Sequence, residues 1–112
     1  VSTVVTFVRG DTRTPLRWPV REKGAVVNIT GWSAFARAVS MDLPGVVIND
    51  VAAIVADGPN GIFEWPSFGD SISSGQMGTH KRARFTAQLR AVDLAGKIAY
   101  TEEFELVFVA PV

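Results

Sequence analysis

Residues 82–109 alternate with a period of two, and that regularity limits what the chain can fold into. Ala83, Phe85, Ala87, Leu89 and Ala91 share one parity, and Arg82, Arg84, Thr86, Gln88 and Arg90 share the other. After Asp93-Leu94-Ala95-Gly96 the pattern resumes, with Ile98, Tyr100, Phe104, Leu106 and Phe108 set against Lys97, Thr101, Glu103 and Glu105. Successive strand side chains point to opposite faces, so this is a long β-hairpin with one dry and one wet side. Pairing Val92 with Lys97 sets Arg84 opposite Glu105 and Thr86 opposite Glu103 on the wet side. On the dry side Phe85 then faces Phe104, and Leu89 faces Tyr100. Glu102 is the misfit, because this register turns it inward beside Ala87. Either it lies at a sheet margin or a bulge shifts the count.

The rest of the chain follows the same rule in shorter pieces. Residues 4–8 form a β-branched run broken at Arg9-Gly10-Asp11. In residues 16–20, Leu16, Trp18 and Val20 share a face, and Pro15 and Pro19 lack ladder donors, which predicts an edge or bulged strand. Residues 25–29 are briefly extended. Residues 32–39 fit a helix by their alanine content, but their context favours a strand. Residues 46–56 are rich in Val and Ile, with Asn49-Asp50 marking a bulge or bend. Asp57-Gly58-Pro59-Asn60-Gly61 is the clearest turn. A short strand follows at residues 62–65. Residues 67–79 read as a loop rich in Ser and Gly.

These pieces predict an all-β, immunoglobulin-like antiparallel sandwich of seven to eight strands in a single domain, residues 1–112. Strands that bury one face each require a second sheet. The predicted core is Phe7, Leu16, Trp18, Trp32, Ile54, Phe63, Trp65, Phe85, Leu89, Tyr100, Phe104 and Phe108.

Composition narrows the function classes. Formal net charge is zero, which argues against general nucleic-acid or anionic-membrane binding. A neutral chain with 47 % hydrophobic residues also suits a subunit that lives beside a partner. There is no cysteine, so disulfides and thiolate metal sites are excluded. No apolar run approaches the roughly 20 residues of a membrane span. Val1 fits a trimmed initiator methionine or an excised fragment, without the basic start of a signal peptide.

Several short motifs resemble chemistry. Phe68-Gly69-Asp70-Ser71-Ile72-Ser73 is similar to the nucleophile block of GDSL hydrolases. That fold needs strand–helix alternation and a late Asp-x-x-His, and the lone His80 lies in the same loop as Ser71. A Gly-Asp-Ser turn is the better reading. Arg9-Gly10-Asp11 spells an adhesion tripeptide, but its place at a strand end favours a turn capped by Asp11. Asn28-Ile29-Thr30 matches a glycosylation pattern without a signal peptide to give it a role. His80-Lys81-Arg82-Ala83-Arg84 is the densest positive patch, read as a wet face neutralised by Glu103 and Glu105 rather than a phosphate site. No metal cluster is expected around His80. Three tryptophans could build a sugar platform, although their alternation favours core positions. Phe35 and Phe68 are the better candidates for exposed contacts. The interaction candidates are Arg17, Trp18, Phe35, Arg37, Phe68, His80 and Arg82, and no catalytic, metal or cofactor residue is assigned.

Phe7-Val8-Arg9-Gly10-Asp11-Thr12, Pro15-Leu16-Arg17-Trp18-Pro19-Val20, Gly24 in a charged turn and Asn28-Ile29-Thr30-Gly31-Trp32 come in a telling order. With residues 57–65 and the closing hairpin, that order resembles the N-terminal domain of phage upper-baseplate proteins. Ile29 stands where that family has Leu, and Gly78-Thr79-His80 where it has Gly-x-Tyr. The resemblance implies a non-enzymatic structural protein of a bacteriophage virion, made in the host cytoplasm and docked to tail or baseplate proteins. Such a subunit is multi-copy or homo-oligomeric, binds no nucleic acid or membrane and needs no cofactor. In the family the sandwich anchors stalk or fibre segments, and with nothing after Val112 a free-standing sandwich is expected here. Capsid decoration is the first alternative, and a host-glycan-binding module the second.

Overall fold

The hydrophobic runs become strands that share one core. A computed structural model describes residues 3–112, and the reading of Val1 lies outside them. Half of the structure is strand and 7 % is helix. In chain order the strands are β1 (Val4–Val8), β2 (Leu16–Pro19), β3 (Arg21–Glu22), β4 (Ala25–Val26), β5 (Ser33–Ser40), β6 (Val47–Ala52) and β7 (Ile54–Asp57). They continue as β8 (Ile62–Trp65), β9 (Arg82–Val92), β10 (Ile98–Tyr100) and β11 (Phe104–Val109). Among the described residues eleven segments stand in place of the expected seven to eight, because extended runs break at residues 101–103 and at Ala53 and the charged turn at residues 21–24 contributes the short strand β3. The segment at residues 33–40 is a strand, as its context favours.

The larger sheet has the order β1-β11-β9-β5-β6, with β10 also on β9. The smaller sheet is β2-β8-β7, and β3 and β4 form a separate hairpin. Pairing is not wholly antiparallel, since β1 runs parallel to β11. The chain passes from the edge of one sheet to the edge of the other through β6, Ala53 and β7. A strand run that switches sheets turns a corner between them. Asn49-Asp50 carries the bulge in β6, with Asp50 at φ 48°.

The inner face of the larger sheet is small in the middle. Ala34, Ala36 and Ala38 of β5 lie opposite Ala91, Leu89 and Ala87 of β9. Small residues leave room for the large ones of the smaller sheet, and Leu16, Phe63 and Trp65 are buried in the same cluster. The Trp65 indole Nε1 donates to the Val51 carbonyl at 2.7 Å, which ties the smaller sheet to the larger one. Gly61, at φ 73°, closes the turn before β8, where an added Cβ would stand 2.4 Å from the Val27 carbonyl oxygen.

The closing hairpin departs from the expected register in two steps. Val92 pairs with Ile98 and Arg90 with Tyr100. Beyond them Ala87 pairs with Phe104, Thr86 with Glu105 and Phe85 with Leu106. Thr101 stays opposite Leu89, its N–H donating to the Leu89 carbonyl at 2.9 Å and its hydroxyl accepting from the Leu89 N–H at 3.1 Å. Glu102 and Glu103 therefore share the place opposite Gln88, which is a bulge. The inward charge disappears, because Glu102 is exposed in that bulge. Tyr100, expected in the core, turns to the outer face and is 60 % exposed.

Ile54 is also exposed, and Trp18, Trp32 and Phe104 are half-buried against the core rather than within it. The reverse error falls in residues 67–79. This segment folds as a 3-10 turn (Phe68–Ser71) and one helical turn, α1 (Ser74–Met77), closed by a capping box between Ser73 and Gln76. Phe68, Ile72 and Met77 are buried, and Phe68 packs on Phe7 and Phe108 at centroid distances of 5.4 and 6.2 Å. The segment plugs one end of the core. Its apolar residues sit four and five apart, a spacing with no strand or helix period to reveal them.

Candidate functional site

Directly opposite residues in a sheet share a face, so the register assigns the outer surface of the larger sheet. One row across it holds Tyr100, Arg90 and Phe35. The next pairs Gln88 with Arg37. A third runs through Val4, Glu105, Thr86, Val39 and Val47, from β1 to β6. Val4, Val39 and Val47 are all exposed in that row. A groove of about 460 Å³ lies over the first two rows, lined by Phe35, Arg37, Val39, Gln88, Arg90, Tyr100 and Glu103 among others.

The groove has a defined electrostatic pattern. Arg90 lies over the Phe35 ring, 4.6 Å from its centroid, and is paired with Asp50. Arg37 is exposed and takes part in no ion pair among the described residues. Gln88 is fixed by donating from Nε2 to the Thr101 carbonyl at 2.9 Å. The open edge of the groove carries the Tyr100 ring and Glu103. A planar cation, a phenol, a carboxylate and an amide around an apolar floor can hold a polar chain or a sugar edge-on.

A second groove, of about 370 Å³, runs between β2 and the bulge, with Arg17, Trp18, Val5, Thr101, Glu102 and Phe104 along it. Trp18 lies half-buried on Phe63, with ring centroids 5.9 Å apart. Arg17 reaches Glu64 on the neighbouring strand at 3.2 Å.

The seven interaction candidates thus divide. Phe35 and Arg37 meet in the first groove, and Arg17 and Trp18 in the second. His80 and Arg82 are exposed at the start of β9, where Arg82 pairs with Val109, at the opposite end of the sheet from Tyr100. Phe68 is no contact residue, being 2 % exposed as part of the plug. Sequence reading missed Gln88, Arg90 and Tyr100 as groove residues. Gln88 and Arg90 carried a signal, since they share the wet parity of β9, whereas Tyr100 depends on the bulge.

Within the positive patch, Arg84 pairs with a different residue from the one expected. Arg84 faces Val107 across the hairpin, and its guanidinium pairs with Asp42 of the β5–β6 turn at 3.1 Å. The Arg84 side chain and then its backbone N–H hold the Asp42 carboxyl below its ordinary value of 3.8, and Asp42 raises Arg84 in return. Asp11 caps the turn that follows Arg9-Gly10-Asp11 rather than that turn itself, which the Asp11 N–H closes onto the Val8 carbonyl. Asp11 accepts from the Thr14 hydroxyl at 2.6 Å and the Arg13 N–H at 2.8 Å, and these bonds lower its carboxyl too. Ser71 ends the 3-10 turn, and His80 Nδ1 lies 3.1 Å from the Met77 carbonyl. Among the described residues no three His, Asp or Glu side chains gather in a way that could hold a metal, and no helix is long and apolar enough to cross a membrane. Comparison with known proteins finds no family model, no curated protein and no solved structure that matches this chain.

Proposed function

We propose that the chain is an immunoglobulin-like, non-enzymatic assembly module of a bacteriophage virion, docking on tail or baseplate proteins through the outer face of its larger sheet. The observation that carries the docking is the row of exposed valines from Val4 to Val47, continuous with the groove over Phe35 and Arg37. Three of the five residues in that row are exposed valines, on β1, β5 and β6, and they leave water only when a second surface covers them. The virion placement rests on the order of motifs along the sequence, from Arg9-Gly10-Asp11-Thr12 to the closing hairpin. Immunogold labelling of purified particles tests it. Label at the tail tip is the expected result. Label over the head selects the decoration alternative, and particles without label sink the virion reading.

A host glycan is the second reading, favoured by the exposed Tyr100 ring beside Arg37, Gln88 and Glu103. Arg90 already covers the Phe35 face, so Tyr100 is the open stacking surface. Retention on a glycan array that Tyr100→Ala abolishes is its expected outcome. An empty array ends that reading.

A further inference from the structure

We propose that strand β7 pairs antiparallel, edge to edge, with β7 of a second copy of this chain. β7 closes the β2-β8-β7 sheet, so one side of it bonds to β8 and the other presents free N–H and C=O groups. Ile54 is 53 % exposed and its neighbour Val55 is 38 % exposed. Consecutive residues point to opposite faces, so apolar side chains are uncovered on both faces of this strand.

An exposed edge is ordinarily guarded by charge or proline. The opposite edge of the same sheet is guarded, since β2 contains Pro19 and Arg17 and follows Pro15. The β7 edge is not. Residues 51–56 read Val-Ala-Ala-Ile-Val-Ala. The carboxylates that bracket them are used inside the chain. Asp50 pairs with Arg90, and Asp57 accepts from the Asn60 side chain at 2.8 Å and the Asn60 N–H at 3.3 Å.

A second copy is the occupant that these features fit. A twofold axis perpendicular to the sheet passes midway between a residue and its own copy, and the two regularly paired residues of β7 are Ile54 and Val55. Centred on either one, the pairing sets aliphatic side chains against aliphatic side chains and brings no like charges together. Zero net charge adds no long-range repulsion between copies. The twofold arrangement also uses both open edges at once, so it closes as a dimer.

This self-contact deepens the assembly reading above, but its test needs no particle, so the two fail separately. A four-residue edge is small beside a standard interface of roughly 1,600 Å², which puts the dissociation constant at about 10–500 µM. Sedimentation of the purified chain should show a concentration-dependent dimer of the 12.1 kDa protomer. Val55→Lys, with Ile54→Lys as a second variant if the first fails to fold, should weaken it by about tenfold or more without moving the thermal melt. The chain has no cysteine, so single replacements report the register directly. Facing Cα atoms in an antiparallel pair lie about 4.5–5.5 Å apart, within disulfide reach. Ile54→Cys or Val55→Cys should cross-link on oxidation, and Leu94→Cys, on an exposed loop far along the chain, should not. A wild-type chain that stays monomeric at about 1 mM, a dimer indifferent to lysine at both positions, or equal cross-linking at Leu94 would overturn the proposal.

Discussion

Asp42 shows how one side chain organises a surface. It sits in the turn between β5 and β6, where the Ser40 hydroxyl accepts from the N–H groups of Asp42 and Leu43. From there it receives both the guanidinium and the backbone N–H of Arg84. These bonds favour the ionised carboxylate, so the folded group holds its charge to lower pH than the unfolded one. The folded state therefore binds fewer protons near the ordinary value of 3.8. Its stabilisation is complete above that value and is lost as the pH falls through the lower, folded value. Asp11 acts in the same direction. Denaturant titrations between about pH 5 and pH 2 should show stability falling towards the acid end, with a shallower fall in Asp42→Asn. A slope unchanged by that substitution would remove Asp42 from this role. The expectation that Arg84 is neutralised was sound, yet its partner comes from a turn 42 residues away. Alternation inside a hairpin cannot report a partner supplied by another element.

At the scale of elements the bulge at residues 101–103 decides most. It lets Tyr100 face outward with Arg90 while Phe104 still faces the core with Ala87. Deleting Glu102 should leave a regular ladder with the same residues on each face, so the protein should fold with stability changed by about 1 kcal/mol or less. Deleting Gln88 instead removes a residue from the unbulged β9 and reverses the parity of everything beyond it. A one-residue slip sends a buried set of side chains to the solvent, so that variant should lose its cooperative melt. Near-UV circular dichroism with thermal melts separates the two, and equal damage from both deletions would refute the assignment. The extra residue was legible only as a conflict, since Glu102 pointed inward in the simple register. The plug of residues 67–79 was not legible, because Phe68, Ile72 and Met77 follow no period and are buried by what the segment covers.

For the whole molecule, the stacking of a small-residue face on a large-residue face sets the tolerance of the core. Ala36 is buried opposite Leu89, while its neighbour Arg37 points to solvent. Ala36→Leu should cost about 1–3 kcal/mol by overpacking. Arg37→Leu, one residue along, should stay within about 0.5 kcal/mol. Urea unfolding of the pair measures both, and similar values would mean that the two sheets do not interlock as described. The smaller sheet has three strands against the five-strand path of the larger one, and its last strand, β7, leaves Ile54 and Val55 exposed.

Period-two alternation and turn chemistry, both local, determined from sequence alone that the chain is β-rich, that residues 4–8 and 62–65 are strands and that Asp57 to Gly61 turn the chain. The outer face of the larger sheet was half legible by the same rule, since Gln88 and Arg90 already stood on the wet parity of the hairpin. Only the tertiary structure decided which strands are neighbours, that β1 runs parallel to β11, that Phe68 is core and that Tyr100 is surface. Those outcomes depend on pairings between distant segments and on one inserted residue. A strand carries the same alternation whichever neighbour it finds, so its pattern says which side is dry but not what will cover it.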